Sequence, residues 1–358
     1  MEHQWSIRPY TEGDEEGIFE LNKAVSPSDE RNREQWMQWW HWMYKESPAG
    51  NGRIWLAEHE GRIVGQYPLI FLKLKVGNRI IKASQNIDIM IHPDYRYQGM
   101  FSKLERQALD EAEKVGVYIT IGFPNEAAYP GHMKSGWFDV ATMQRLFKPL
   151  NWGDTLRIRF RNKLLLKFLA AGGNLTDKVL HTIRETPIVE GLTISQIPHF
   201  DDRIDDFWTM VSNQYQIMVV RNKDYLNWRY VTIPDVEYSI FVAEKAKKIY
   251  GYLVLRCVEY QGRKSGTIFD ILTQSEPITR CLISKVMEHC RQERVAFISY
   301  DIIANKAYLK ALRSNGFISL PSRKGARFGA YSSSPHISRE FLMDSRNWFV
   351  QMGDSDAI

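Results

Sequence analysis

The feature that most constrains the fold of this chain is an internal repeat. Residues 55–65 (WLAEHEGRIVG) resemble residues 241–251 (FVAEKAKKIYG), 186 positions later. Further matches follow in the same order at separations of 182 and 180: residues 87–90 with 269–272, residues 101–104 with 283–286, and Asn125 with Asn305. Because the order never changes, we predict two copies of one α/β unit.

The period of the apolar residues gives the element order within each copy. In the first copy, a first strand, an amphipathic helix and a Trp-rich helical region come before the hairpin strands. A long strand, an amphipathic helix and another strand follow, which predicts a central β-α-β unit. We therefore predict a mixed α/β (α+β) fold, with a mostly antiparallel twisted sheet and flanking helices in each copy. The predicted boundaries are 1–150, a connector over 151–187, a second domain over 188–345 and a tail over 346–358.

The connector has a character of its own, because basic and apolar residues alternate in the stretch LRIRFRNKLLLKFL. Two interpretations remain open. It is either a helix packed between the domains, which we favour, or a basic amphipathic helix on a membrane surface.

Composition excludes several classes of protein. A net charge of +5 without a concentrated basic stripe does not indicate nucleic-acid binding. Three Cys without metal-ligand spacing indicate neither a disulfide framework nor a metal site. The polar, acidic start is unlike a signal peptide, and no apolar run is long enough for a membrane span. We expect a cytoplasmic protein.

The segment that indicates chemistry is residues 92–104, HPDYRYQGMFSKL. A strand with apolar residues runs into a Pro-marked turn, a short loop with Gly99, and then an amphipathic helix. Such a loop offers backbone N–H groups at a helix N-terminus to a phosphate. Gly99 allows close approach of the backbone, and Arg96 adds positive charge.

With this loop, the chain resembles the GCN5-related N-acetyltransferase (GNAT) superfamily. The family signature Arg/Gln-x-x-Gly-x-Gly/Ala is similar to residues 96–101, with Phe101 where a second small residue is usual. SIRPYTEGDEEGIFEL resembles the first strand and helix of the family, and NEAAYPGHMKSGW resembles its closing Asn…Gly-Phe segment. The resemblance implies two tandem GNAT-like domains, of which the second is degenerate.

The resemblance implies an acyl-CoA site, with acetyl-CoA as co-substrate and no metal. The strand residues Ile89, Met90, Ile91 and His92 would bond to the pantetheine arm through their backbone. The pyrophosphate would bind to the N–H groups of Tyr97, Gln98, Gly99, Met100, Phe101 and Ser102. Arg96 and Asn125 would add contacts.

In the second copy, the corresponding stretch is TQSEPITRCLISK. Cys281 stands in the place of Gly99, and Ile278 in the place of Arg96. We therefore expect one acyl-CoA site, in the first copy, and a structural or substrate-shaping role for the second.

Three residues are candidates for proton transfer. His132 stands five residues before Trp137, where many family members have Tyr; it is either an acid or base, or a solvent-facing residue. Tyr129 is the other candidate nearby. Asp88 could act as a base, but Asp270 repeats it in the copy without the loop, which favours a structural role. Glu58, repeated by Glu244, carries low weight.

The acceptor is not identified by the sequence. Trp36, Trp39, Trp40 and Met43 share a helical face that is typical of a core, whereas Trp42 should project elsewhere. Aromatic side chains also suit an amino sugar, so we expect a small-molecule or sugar amine. Two alternatives stay open: a peptidoglycan-bridge type aminoacyl transferase that uses aminoacyl-tRNA, and a non-catalytic acyl-CoA-binding protein. The oligomeric state is open.

Overall fold

The structure is a computed structural model, and it describes residues 5–157, 187–260, 262–303, 305–320 and 327–355. These residues form a mixed α/β fold with two sheets, which confirms the predicted fold class. The predicted connector lies largely outside the described residues, because 158–186 are not among them. No helix in the described ranges is long and apolar enough to cross a membrane.

The first sheet has nine strands, and seven of them lie side by side. In spatial order these are β1 (Ser6–Pro9), β2 (Arg53–His59), β3 (Arg62–Val76), β4 (Arg79–Asn86), β6 (Ile119–Gly122), β16 (Arg327–Ser332) and β7 (Phe138–Thr142). Two short strands, β5 (Met90–Ile91) and β10 (Ile217–Val219), pair with β3. Residues 64–72 of β3 are buried without a break, as expected of a strand with both faces covered.

The second sheet has seven strands. In spatial order these are β15 (Ile318–Leu320), β8 (Gln144–Pro149), β14 (Val295–Ile302), β13 (Arg263–Thr273), β12 (Lys248–Tyr260), β11 (Ser239–Lys245) and β9 (Thr193–Ile197). Each sheet contains one parallel pair, β4 with β6 and β13 with β14. The two sheets therefore share one plan.

Helices cover the sheets. In the first half these are α1 (Glu15–Val25), α2 (Arg33–Lys45), α3 (Met100–Glu113), α4 (Tyr129–Lys134) and α5 (Trp152–Arg157). In the second half they are α6 (Arg203–Val211), α7 (Lys223–Tyr230), α8 (Glu276–Gln292), α9 (Lys306–Ser314) and α10 (Arg339–Met343). The stripe Met100, Leu104, Ala108 and Ala112 holds α3 on β2 and β3, because apolar residues at this spacing share one face.

The halves exchange strands, one from the first half and two from the second, since β10 also joins the first sheet by pairing with β3. The sequence predicts one closing strand near residues 140–147 (VATMQRLF) in the first unit, but the structure has two strands there. β7 stays in the first sheet, whereas β8 lies between β14 and β15 of the second. In return, β16 lies between β6 and β7 of the first sheet. The sequence repeat thus ends near residue 150, while the two sheets are interlocked across that position.

A reciprocal Trp pair joins the halves. Trp42 and Trp228 are 186 residues apart and stack with ring centroids 5.0 Å apart. Each indole N–H donates to the backbone oxygen of the other residue, at 3.0 and 3.2 Å. This contact has the form of a two-fold symmetric interface, in which equivalent residues meet each other. Trp42 projects away from the Trp36–Trp40 face, as expected, and it is buried against the other half.

Candidate acyl-CoA site

The first sheet opens into a cleft at the ends of β4 and β6. These parallel strands pair only through Ser84 with Thr120 and Gln85 with Ile121. Beyond Asn86 the chain bulges at Asp88, which has a φ of +46°, and β5 then pairs with β3 instead. The side chain of Gln66 donates to the Asp88 backbone oxygen at 2.8 Å and supports this bulge. β5 and β6 are therefore separated, as the predicted pantetheine site requires.

The predicted phosphate loop follows β5 directly. Gly99 is the N-cap of α3 and has a φ of +76°, and Tyr97 has a φ of +64°. A left-handed backbone suits glycine but is uncommon for tyrosine. The first N–H groups of a helix have no partner within the helix, so those of Met100, Phe101 and Ser102 begin α3 without one. Arg96 is exposed, and its Nε donates to the Ile91 oxygen at 3.3 Å.

Phe101 departs from the family pattern, and its neighbours account for the change. A Cβ on Gly131 would lie 2.5 Å from the Phe101 ring, so that glycine makes room for the ring. The ring also meets the ring of His132, with centroids 5.0 Å apart. Phe101 thus packs on α4, away from the loop, and leaves its own backbone N–H at the start of α3.

Three other predicted contact residues have side chains or backbone groups that already contact the protein itself. Asn125 is exposed, and its side-chain oxygen accepts from the N–H groups of Ala127 and Ala128 at the start of α4. Met100 is 2% exposed and fits against Gly65, so only its backbone is available to a ligand. His92 donates its backbone N–H to the Val64 oxygen at 2.9 Å, which extends the pairing of β5 with β3.

His132 is buried in a polar network, so the solvent-facing alternative is wrong. It is 1% exposed, and its Nδ1 lies 2.5 Å from Oε1 of Glu105, which is 0% exposed. Its Nε2 lies 3.3 Å from Nδ2 of Asn86, which also donates to the Tyr67 hydroxyl at 3.1 Å. Both ring nitrogens of His132 are therefore engaged, and the imidazole does not open into the cleft.

Tyr67 completes this network. Its hydroxyl donates to Oε1 of Glu105 at 2.9 Å. Burial, followed by the charge of Glu105, raises the pKa of Tyr67 well above its usual value, so the hydroxyl keeps its proton and donates it.

Tyr129 points elsewhere. Its hydroxyl donates to Oδ2 of Asp139 at 2.5 Å, and Arg327 lies over its ring at 4.1 Å. The hydrogen bond to Asp139 raises the pKa of Tyr129. The hydroxyl is therefore protonated, but it is already bonded to Asp139 of β7, at the edge of the first sheet.

Asp88 and its repeat Asp270 lie in different environments. Asp270 is 1% exposed and bonds to the buried guanidinium of Arg221 at 3.0 Å, and it lies inside β13, paired with Val254. Asp88 is partly exposed in the bulge and accepts from the Tyr44 hydroxyl at 3.1 Å. The repeat therefore does not argue for a shared structural role.

The cleft of the second sheet is filled by the chain itself. Val350 and Gln351 pair with Ile303 and Ile302 beside β14, and Gln351 Oε1 accepts from the Ile271 N–H of β13 at 2.9 Å. A Cβ on Gly353 would lie 2.0 Å from the Tyr230 hydroxyl, so the segment fits tightly. The sequence gives no sign of this insertion, because residues 348–355 show no clear period.

Sequence reasoning missed Glu105 and Tyr67. A signal for Glu105 exists, since this acid falls on the apolar face of α3 between Leu104 and Ala108. A charged residue on a core-facing stripe indicates a buried polar partner. Among the described residues, no group of three or more His, Cys, Asp or Glu is placed to hold a metal ion.

Comparison with known proteins agrees with this geometry. Residues 6–138 match the model of the acetyltransferase (GNAT) domain family. No curated protein sequence matches the chain significantly.

Among solved structures, a GCN5-related N-acetyltransferase from Anabaena variabilis has a TM-score of 0.65 at 11% identity, covering 91% of this chain and 72% of that one. A probable N-acyltransferase from Enterococcus faecalis has a TM-score of 0.66 at 12% identity, with the same coverage. N-myristoyltransferase of Saccharomyces cerevisiae, solved with myristoyl-CoA, has a TM-score of 0.57 at 12% identity and covers 92% and 79%. The chain therefore has a GNAT fold.

Proposed function

We propose that this protein is an N-acyltransferase that moves an acetyl group from acetyl-CoA to a primary amine. The observation that carries the proposal is the separation of β5 from β6 in the first sheet, where β5 leads directly into the Gly99 loop at the start of α3. The match of residues 6–138 to the GNAT domain model supports it. The proposed arrangement is tandem, with one competent half and one degenerate half.

In this proposal the donor lies along β5 and the loop. The backbone of Ile89 to His92 holds the pantetheine arm between the separated strands. The N–H groups of Tyr97 to Ser102 hold the pyrophosphate, with Arg96 and Asn125 nearby. A helix N-terminus favours negative charge, since its free N–H groups and the helix dipole both point at the ligand.

Asp88 is the candidate base. It lies in the bulge beside the cleft, and the Tyr44 hydroxyl orients its carboxylate. In the proposed reaction, Asp88 accepts a proton from the ammonium group, and the free amine attacks the thioester carbon. The C–S bond then breaks, the thiolate takes up the second proton that the amine nitrogen loses, and an amide and CoA leave. Base catalysis of this kind contributes about 100-fold or more.

The predicted roles of His132 and Tyr129 as acid or base are less well supported. Neither side chain opens into the cleft, since one is bonded to Glu105 and Asn86 and the other to Asp139. We propose that any direct proton transfer belongs to Asp88.

For the acceptor, we propose a positively charged amine that approaches over α1 and α2. A groove of about 720 Å³ lies there, and Glu15, Glu16 and Glu46 are among its lining residues. Trp40 also lines it and contacts Tyr44, with ring centroids 5.3 Å apart. Tyr44 in turn bonds to Asp88, so one layer of packed side chains lies between the groove and the proposed base. Arg33 also lines the groove and pairs with Glu16, so the lining is acidic on balance, and an amino sugar would suit its acidic and aromatic groups.

The test has two stages. Calorimetry with acetyl-CoA should show one site per chain, and release of free CoA thiol should depend on an added amine from a panel that includes amino sugars. Absence of binding would reject the proposal. Binding without turnover would favour the non-catalytic alternative. Transfer from aminoacyl-tRNA, with no use of acetyl-CoA, would favour the aminoacyl transferase.

A further inference from the structure

Where β4 and β6 separate, the side chain of Asn86 lies across the end of β6, next to the ring of Trp137. Asn86 is the last residue of β4, and a Cβ on Gly122 would lie 2.2 Å from its Oδ1. The amide therefore crosses from β4 to the end of β6 directly above that glycine. Only glycine leaves room for it, because any other side chain would displace the amide.

The orientation of this amide is fixed from behind. Nδ2 of Asn86 donates to the Tyr67 hydroxyl and to Nε2 of His132. Nε2 can accept only if the proton of the neutral imidazole is on Nδ1, and Nδ1 faces the carboxylate of Glu105. Glu105 thus selects the tautomer of His132. The tautomer fixes Nδ2 of Asn86 towards the interior, and Oδ1 is left over Gly122.

We infer that Asn86 is a binding residue of the acyl-donor cleft, whose oxygen accepts an N–H group of the pantetheine arm. Glu105, His132 and Tyr67 are positioning residues that act through it. This inference rests on the proposed function, because it needs an acyl-CoA donor in the cleft. It gives His132 the role of orienting the Asn86 amide, whereas the family pattern suggests proton transfer.

The network predicts a spectroscopic signature that does not need a ligand. In protein labelled with ¹⁵N-histidine, His132 should show one tautomer with the proton on Nδ1. Glu105→Gln replaces the carboxylate by a neutral amide that no longer selects one tautomer, so both should appear. Finding the proton on Nε2 in the unaltered protein would overturn the inference.

Binding of acetyl-CoA gives the second readout, measured by calorimetry. Asn86→Ala should weaken binding about 10-fold, because the hydrogen bond to the donor is lost. Glu105→Gln should weaken it about 3-fold, because the same hydrogen bond is loosened even though Glu105 itself is buried and does not touch the donor. The double variant should be no weaker than Asn86→Ala alone, because both changes act on one contact. Additive effects, or unchanged binding in Asn86→Ala, would contradict the inference.

Tyr67→Phe is the second variant, for use if Glu105→Gln does not fold. It removes only the hydroxyl, and it should also weaken binding about 3-fold by freeing one N–H of Asn86. Its effect should likewise vanish in the Asn86→Ala background, and an effect that persists there would count against the inference. If the unaltered chain binds no acetyl-CoA, the proposed function fails, while the tautomer measurement still tests the network.

Discussion

The two sheets of this protein share a plan but differ in what lies at their clefts. In the first sheet, β5 leads through the Gly99 loop to α3, which begins at Met100. In the second, α8 begins at Glu276, the counterpart of residue 94, so helix replaces the loop. Cys281 and Ile278 are both buried in that helix, and residues 350–355 occupy the cleft. The comparison shows that two sheets with one plan can differ at the same place, with separated strands and a glycine loop in one half and an inserted chain segment in the other.

The halves also retain a common feature. Glu58 bonds to Arg8 at 2.6 Å, and its repeat Glu244 bonds to Arg203 at 2.8 Å. Each Arg bonds to an Asp as well, Asp14 in the first half and Asp201 in the second. These repeated ion pairs lie outside both clefts and indicate a structural role for Glu58.

The largest expected effect concerns the filled cleft. Arg221 is fully buried and bonds to Asp270 and to Asp354, which joins β13 to the C-terminal segment. Arg221→Met would leave two buried carboxylates without a cation, and we expect a loss of about 3–5 kcal/mol in the free energy of unfolding. Arg203→Met, at a partly exposed ion pair, is the matched control and should cost about 1 kcal/mol or less. Equal losses in urea titrations would mean that the buried cluster does not hold the second cleft closed.

The next effect concerns the open cleft. Gly99→Glu forces a side chain onto a left-handed residue and adds a carboxylate where we propose phosphates to bind. Binding of acetyl-CoA by calorimetry should weaken at least 100-fold, or about 2.7 kcal/mol. Gly116→Glu is the control, since Gly116 has a φ of +78° at the far end of α3 and equally open surroundings. Comparable binding by the two variants would place the donor elsewhere.

Asp88 and Asp270 give a matched pair for catalysis. Asp88→Asn should lower kcat about 100-fold with an unchanged melting temperature, because the amide cannot accept the ammonium proton. Asp270→Asn should instead lower the melting temperature, because it disturbs the buried partner of Arg221. If Asp88→Asn keeps full activity, another group must serve as the base.

The smallest effect concerns the shared ion pairs. The hydrogen bond from Arg8 lowers the pKa of Asp14 to about 2. A lowered pKa in the folded state stabilises the protein above the unfolded value near 4, and this contribution disappears as the pH falls from about 4 to 2. Asp14→Asn should therefore cost about 1 kcal/mol at pH 7, with the difference from the unaltered protein shrinking below pH 4. A difference that stays constant with pH would indicate lost packing rather than lost charge.

Much of the candidate site follows from local sequence. The strand, the Gly99 turn and α3 are short-range features, because a left-handed glycine and an apolar stripe depend on neighbouring residues. The order of elements in each half was also predictable for this reason, as was the position of Trp42 on a different side of α2 from Trp36 and Trp40. The roles of individual residues were harder to predict from the sequence, since the polar network around His132 depends on Glu105, 27 positions earlier in the chain.

By itself, the sequence determined the order of strands and helices that the two halves share and the left-handed Gly99 turn at the start of α3, and it predicted a phosphate-binding role for that turn. Only the tertiary structure decided which strand joins which sheet, because the exchange of β8 and β16 depends on pairing between residues 148 to 213 positions apart. It also decided that residues 350–355 fill the second cleft and that Asn86 lies across the end of β6 in the first sheet. These contacts depend on packing and hydrogen bonds between residues that are far apart in the chain, and the periodicity of apolar residues along the chain does not predict them.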